Sequence, residues 1–143
     1  KYLTFTMVDM SENLKMKVSL RLSCKNLKNL DTFSKSDPWI IVKLQNNEGH
    51  YQNVGKTETI NNNLNPEFST TLTVDFYFEK HQKMQFKVLD GDGREEDASD
   101  DDIIGHVHTT LGEIVGAGKF ESKISHKGNE NRGLLIVQAE PLQ

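Results

Sequence analysis

An all-β fold, an eight-stranded antiparallel Greek-key β-sandwich with one short helix, is what this sequence predicts, and three observations carry the prediction. Apolar residues alternate with a period of two in short blocks, as in Val18-Ser19-Leu20-Arg21-Leu22. Turn-forming residues separate the blocks: Asn46-Asn47-Glu48-Gly49, Asn61-Asn62-Asn63-Leu64-Asn65-Pro66 and Lys127-Gly128-Asn129. No Gly/Ser-rich or Pro-rich linker divides the 143 residues, so they fit one sandwich domain.

In chain order, the alternation predicts strands near 16–24, 39–45, 51–58, 68–77, 83–89, 103–109, 120–125 and 133–139. The helix is expected just after Thr109. There Thr110 and Glu113 have capping-box spacing, Leu111, Ile114 and Val115 form an inner face, and Gly116 ends the run. Residues 16–141 are read as the domain and 1–15 as an N-terminal extension or linker, in which Tyr2 to Val8 alternates only weakly.

Composition excludes several classes. With 35% hydrophobic and 27% charged residues the chain is an ordinary soluble globule, and no apolar run is long enough for a membrane span. A net charge of −4, without a basic stripe interleaved with aromatics, argues against nucleic acid. The sole cysteine, Cys24, sits within an alternating strand, where a buried structural thiol is expected. No Gly-x-Ser-x-Gly elbow, Cys/His pair, phosphate-binding loop or zinc spacing points to an enzyme.

The chemistry concentrates between Asp90 and Asp102. Eight of the chain's twenty-one carboxylates lie there against the single Arg94, giving a local charge of −7. The apolar run Met84, Phe86, Val88 precedes this stretch and Ile103-Ile104-Gly105 follows it, so both ends are tied to folded strands. Like charges forced together destabilise a fold unless a cation neutralises them, and oxygen-only donors suit calcium. A solvated acidic loop is the alternative. A second acidic pair, Asp31 and Asp37, brackets a short loop, and Pro38 biases Asp37 to extended backbone. If the sandwich brings both loops to one end, five carboxylates surround one or two calcium ions. An EF-hand fails: counted from Asp90, position six is Glu95 where Gly is required, and position twelve is Asp101 where Glu is expected.

Ordered along the chain, S-K-S-D-P-W (34–39), L-N-P-E-F (64–68), D-G-D (90–92) and D-D-I-I-G (101–105) resemble a C2 domain. Further blocks at 18–27, 78–88, 110–116 and 132–140 are similar to the first C2 domain of a copine. The resemblance spans roughly residues 16–141. It implies a sandwich that binds calcium, two ions by expectation, through apical loops and docks on anionic phospholipid such as phosphatidylserine. The course of Val18 to Asp31 straight into loop one, with a last strand at Gly133 to Ala139, suggests the permuted, type II topology, an extra strand over residues 2–8 being the alternative. Residue by residue it makes Asp31, Asp37, Asp90, Asp92 and Asp102 metal ligands. Leu30, Gly91, Ser99 and Asp100 are further candidates, the first two through their carbonyls. Asp92 and Asp102 lie ten positions apart, longer than in synaptotagmin-like C2 domains, so Glu95 to Asp101 are expected to bulge outward and Asp97 and Asp101 to be available as substitutes.

Phe33, Lys35 and Arg94 are the expected membrane contacts, with Phe33 inserting from the tip of the first loop. A lysine-rich lipid-reading face is disfavoured: Trp39, Lys43 and Lys56 are placed for one, but Ile41, Val54 and Glu58 interrupt it. Lys80, Lys83 and Lys87 are read as solvated, and His106 and His108 as ordinary imidazoles on one strand face. The resulting expectation is a monomeric, non-enzymatic, calcium-dependent phospholipid-binding module. It would be cytoplasmic and recruited to membrane, the plasma membrane foremost, when calcium rises. The alternative is a calcium-independent protein-interaction sandwich.

Overall fold

The computed structural model describes residues 14–91 and 93–142. The extension expected over 1–15 lies outside the described residues except for Leu14 and Lys15, and the expected ligand Asp92 lies outside them as well. Eight strands form: β1 (Lys15–Lys25), β2 (Pro38–Gln45), β3 (Tyr51–Lys56), β4 (Glu67–Tyr77), β5 (Lys83–Asp90), β6 (Ile103–Thr110), β7 (Lys119–Lys123) and β8 (Leu134–Pro141). They build two antiparallel sheets of four strands, ordered β4-β1-β8-β7 and β3-β2-β5-β6. The final strand β8 lies beside β1, and β1 runs directly into the first apical loop, which is the permuted topology expected.

Alternation puts Val18, Leu20, Leu22 and Cys24 of β1 inward, facing Ile40, Val42, Met84, Phe86 and Val88 of the other sheet. Burial pushes the Cys24 thiol up to about 12, so it is inert packing. A smaller apolar cluster of Trp39, Ile41 and Leu89 lies apart from this core and is packed by Ala98 and Ile103.

Strand ends differ from the sequence reading by one or two residues, most at β3, β7 and β8, and the helix end differs as well. β3 stops at Lys56, and Thr57 beyond it still bonds Ile40 of β2: its N–H donates to the Ile40 carbonyl and its Oγ1 accepts the Ile40 N–H, both at 2.9 Å. The helix α1 (Leu111–Ala117) runs through Gly116 and ends at Gly118, whose φ of +71° is the conformation glycine supplies without strain. At its start Thr110 Oγ1 accepts the Glu113 N–H at 3.1 Å. The Glu113 carboxylate bonds the Thr109 and Thr110 hydroxyls rather than closing the reciprocal box. Gly105 permits the close approach of β6 to Ser125, since a Cβ there would lie 2.8 Å from the Ser125 carbonyl.

Candidate metal centre

Register brings the acidic loops together. Pro38 at the start of β2 pairs with Asp90 at the end of β5, and Leu89 pairs with Ile103 at the start of β6. Loop one (26–37) and loop three (91–102) therefore rise from adjacent strand ends. Loop two (57–66) stands beside them.

Within loop one, a local hydrogen-bond network fixes the chain. The buried Ser36 accepts the Leu30 N–H at 2.8 Å. Asn29 accepts the Asp31 N–H at 3.1 Å and donates to the Ser34 carbonyl at 3.1 Å. The Leu30 backbone is thereby held, with its side chain half-buried against the core. Asp37 is fixed from three sides. Its N–H donates to Asp90 Oδ1 at 2.7 Å, its carbonyl accepts the Gly91 N–H at 3.1 Å, and its Oδ1 accepts the Asn62 N–H at 2.7 Å.

These constraints leave one carboxylate oxygen from each of Asp31, Asp37 and Asp90 within 4.8 Å of the other two. Asp90 is buried, and burial is the main force raising its pKa above the ordinary carboxylate range. The Asp37 N–H opposes that rise, while the charges of Asp31 and Asp37 add to it. An all-oxygen donor set, crowded and short of counter-charge, is what a hard divalent cation relieves. The residues present fit calcium.

Asp102 stands outside that trio but lines the same cleft of about 520 Å³, together with Asp37, Asp90, Gly91, Arg94 and Asp97. Its Oδ2 accepts the Ser99 N–H at 3.0 Å and the Ser99 hydroxyl at 3.3 Å, capping the short 3₁₀ turn Asp100–Asp102. Arg132 fixes the strand that follows, donating to the carbonyls of Ile103 and Ile104 at 3.0 and 2.7 Å. Asp100 is not brought to the cluster. Its carboxylate bonds Lys127 at 2.9 Å and faces His126 Nε2 at 3.3 Å, and the Lys127 bond is the main force holding its pKa low. Asp100, a further candidate ligand, thus pairs with Lys127 and His126 of the β7–β8 connection in this structure. The spacing saw an acidic run but not the cation waiting across the β7–β8 connection.

The expected membrane contacts are all exposed. Phe33 is 100% exposed at the tip of loop one, beside Lys35, whose N–H is held by Asn62 Oδ1 at 3.2 Å. Arg94 is turned to its own loop, 2.9 Å from Asp97. Loop three offers no apolar tip; its Ala98 folds inward onto the Trp39 cluster. Lys87 is not solvated as expected. It pairs with Glu95 at 3.2 Å, as Lys43 does at 2.9 Å. His106 stacks between His108 and His126, each 6.3 Å away between ring centroids.

Sequence reasoning missed Asn62 and Arg132. The Asn61–Asn63 run has the composition of a turn, and the side chain and N–H of Asn62 also brace loop one. Only the pairing of distant segments reveals that use.

The C2 domain family model matches residues 13–127. Among curated proteins the chain is 45% identical over 135 residues to Copine-B and 42% identical over 135 residues to Copine-E, both of Dictyostelium discoideum. The alignments cover 90% and 89% of this chain, which spans about a quarter of the length of those relatives, 25% and 22%. In fold it is similar to a C2 domain of plant Extended Synaptotagmin 1, with a TM-score of 0.64 at 20% identity over 90% of this chain and 96% of that one. A calcium-bound structure of two C2 domains of Extended Synaptotagmin 2 gives 0.64 at 20% identity over 90% of this chain and 46% of that one. With matched family blocks on both sides of the acidic cleft, the chain belongs to the C2 domain family and is similar to copines.

Proposed function

We propose that this domain is a calcium-dependent phospholipid-binding module, non-catalytic in itself, that carries its parent protein to anionic membrane. The observation that supports this most is the convergence of Asp31, Asp37 and Asp90, with Asp90 buried among like charges. Asp92, Asp102 and the carbonyls of Leu30 and Gly91 complete the proposed ligand set, with two calcium ions. Ser99 enters through Asp102, which it orients.

Calcium supplies positive charge and open coordination positions that lipid phosphate oxygens can fill. Two ions change the charge of the loop tips by four. Each unit near an anionic leaflet is worth about 1 kcal/mol within a Debye length of about 10 Å. That is enough to move the domain from solution to a phosphatidylserine-rich surface without a change of fold. Phe33, projecting beyond Asp31, supplies shallow insertion, and Lys35 and Arg94 meet headgroups. Affinity in the sensor range, roughly 10⁻⁷ to 10⁻⁵ M, is expected with membrane present. The site of action is then the cytoplasmic face of a membrane, the plasma membrane foremost. Among the described residues no helix is long and apolar enough to cross one.

Flotation with phosphatidylserine vesicles, in calcium and in chelator, tests the reading. Calcium-dependent flotation is expected. Equal behaviour in both would favour a calcium-independent protein-interaction role.

A further inference from the structure

Loop three does not rise freely from the sandwich. Three lysines from three strands grip its first half. Lys43 of β2 and Lys87 of β5 both bind Glu95 Oε2, at 2.9 and 3.2 Å, and Lys56 of β3 donates to the Gly93 carbonyl at 2.9 Å. The ion-paired side chains are largely shielded, with exposures of 21% and 18% for the lysines and 28% for Glu95. Burial alone would raise the Glu95 pKa, yet the two ammonium groups lower it.

Among the described residues few other contacts tie this segment to the sandwich; before Gly93, the Gly91 N–H donates to the Asp37 carbonyl at 3.1 Å. The 3₁₀ turn Glu95–Asp97 buries no residue and has no side-chain cap. A cavity of about 640 Å³ separates it from β2 and β3, lined by Trp39, Ile41, Val54, Lys56 and Arg94 among others. The buried Trp39 indole N–H has no hydrogen-bond partner among the described residues. Apolar support begins only at Ala98. Among the described residues the clasp is therefore the main tie between the sheet and the stretch from Gly93 to Asp97.

We propose that Glu95, clasped by Lys43 and Lys87, is a positioning residue that sets the calcium threshold of the apical cleft. The inference rests on the calcium reading above and names a regulator of that same site. By fixing loop three before calcium arrives, the clasp removes part of the ordering cost of binding. It also places the glutamate's charge on the sheet face, where the lysines neutralise it.

Anchoring and simple charge predict different patterns. If the clasp anchors, losing either side weakens calcium binding. If only long-range charge matters, Glu95→Gln weakens binding, whereas a Lys43→Gln/Lys87→Gln variant strengthens it by removing two cations. The experiment is a calorimetric titration of this chain with calcium chloride, repeated with phosphatidylserine vesicles, on wild type, E95Q, E95D, the lysine pair variant and the triple variant. Thermal unfolding in chelator accompanies each. The expected result is a calcium midpoint raised about five-fold or more in E95Q and in the lysine variant. The triple variant should be no worse than E95Q alone, and thermal midpoints in chelator should be unchanged. E95D, which keeps the charge but is one methylene shorter, should be intermediate. Opposite shifts in E95Q and the lysine variant, unchanged midpoints, or a loss of calcium affinity that merely follows a loss of thermal stability would overturn the proposal. A wild type blind to calcium would overturn the calcium reading itself, and the clasp's role with it.

Discussion

Glu58, in loop two, and Asp90, at the end of β5, are both carboxylates of the apical region, and the sandwich treats them oppositely. Glu58 receives four hydrogen bonds, from the N–H and hydroxyl of both Ser69 and Thr70, at 2.7 to 3.2 Å. Burial pushes its pKa up, but those donors outweigh it and bring the carboxyl to about 2. Asp90 receives one protein N–H and faces two further aspartates, and its pKa rises. A carboxylate provided with donors is a structural staple. One provided mainly with other carboxylates is short of a cation. The number of negative charges does not separate the two cases; the donors around each one do.

The largest expected effect breaks the Asp90 side. Asp90→Asn or Asp37→Asn should abolish calcium-dependent flotation while leaving the fold intact in chelator. An amide oxygen can still accept the Asp37 or Asn62 N–H in place of the carboxylate. The thermal midpoint without calcium should stay level or rise, because repulsion is relieved. Next, saturating calcium should stabilise the wild type. At about a hundred times Kd the gain is about 2.7 kcal/mol, readable as a thermal shift of several degrees that neither variant shows.

Phe33→Ser sharpens the difference between holding an ion and using it. The side chain makes no shielding contact with the fold, so stability and calcium affinity in solution should not move. Vesicle partitioning should fall about ten-fold, the equivalent of about 1.4 kcal/mol of insertion. The smallest effect belongs to the Glu58 side. Glu58→Gln should lower stability at neutral pH by about 1 kcal/mol, equally in calcium and chelator. Because the folded pKa is depressed, this contribution is present above the unfolded value of 4.5 and is lost as pH falls towards about 2. Wild type and variant should therefore converge in urea melts at about pH 2. A calcium-dependent effect of E58Q would erase the contrast between the two carboxylates.

The sequence was most legible where a local pattern decides the outcome. Period-two alternation located all eight strands, and the Ser36-Asp37-Pro38-Trp39 and Asp102-Ile103-Ile104-Gly105 blocks marked where loops meet strands. What it hid comes from distant segments. Lys87 resembled a solvated strand charge until loop three folded Glu95 over it. Asp100 reads as one more charge of an acidic run, and its partners Lys127 and His126 come from the β7–β8 connection. The helix end was misplaced by two residues because two glycines compete there, and only Gly118 takes the positive φ. Asn62 and Arg132 brace the cleft through backbone groups, which no residue pattern announces.

Calcium binding by the aspartate cluster is tested most directly by calorimetric titration of calcium chloride into wild type and Asp90→Asn, each with and without phosphatidylserine vesicles. Binding is expected in the wild type, tightened by vesicles, and none in the variant. Heats indistinguishable between the two proteins would contradict it and leave the acidic loops as solvated charge.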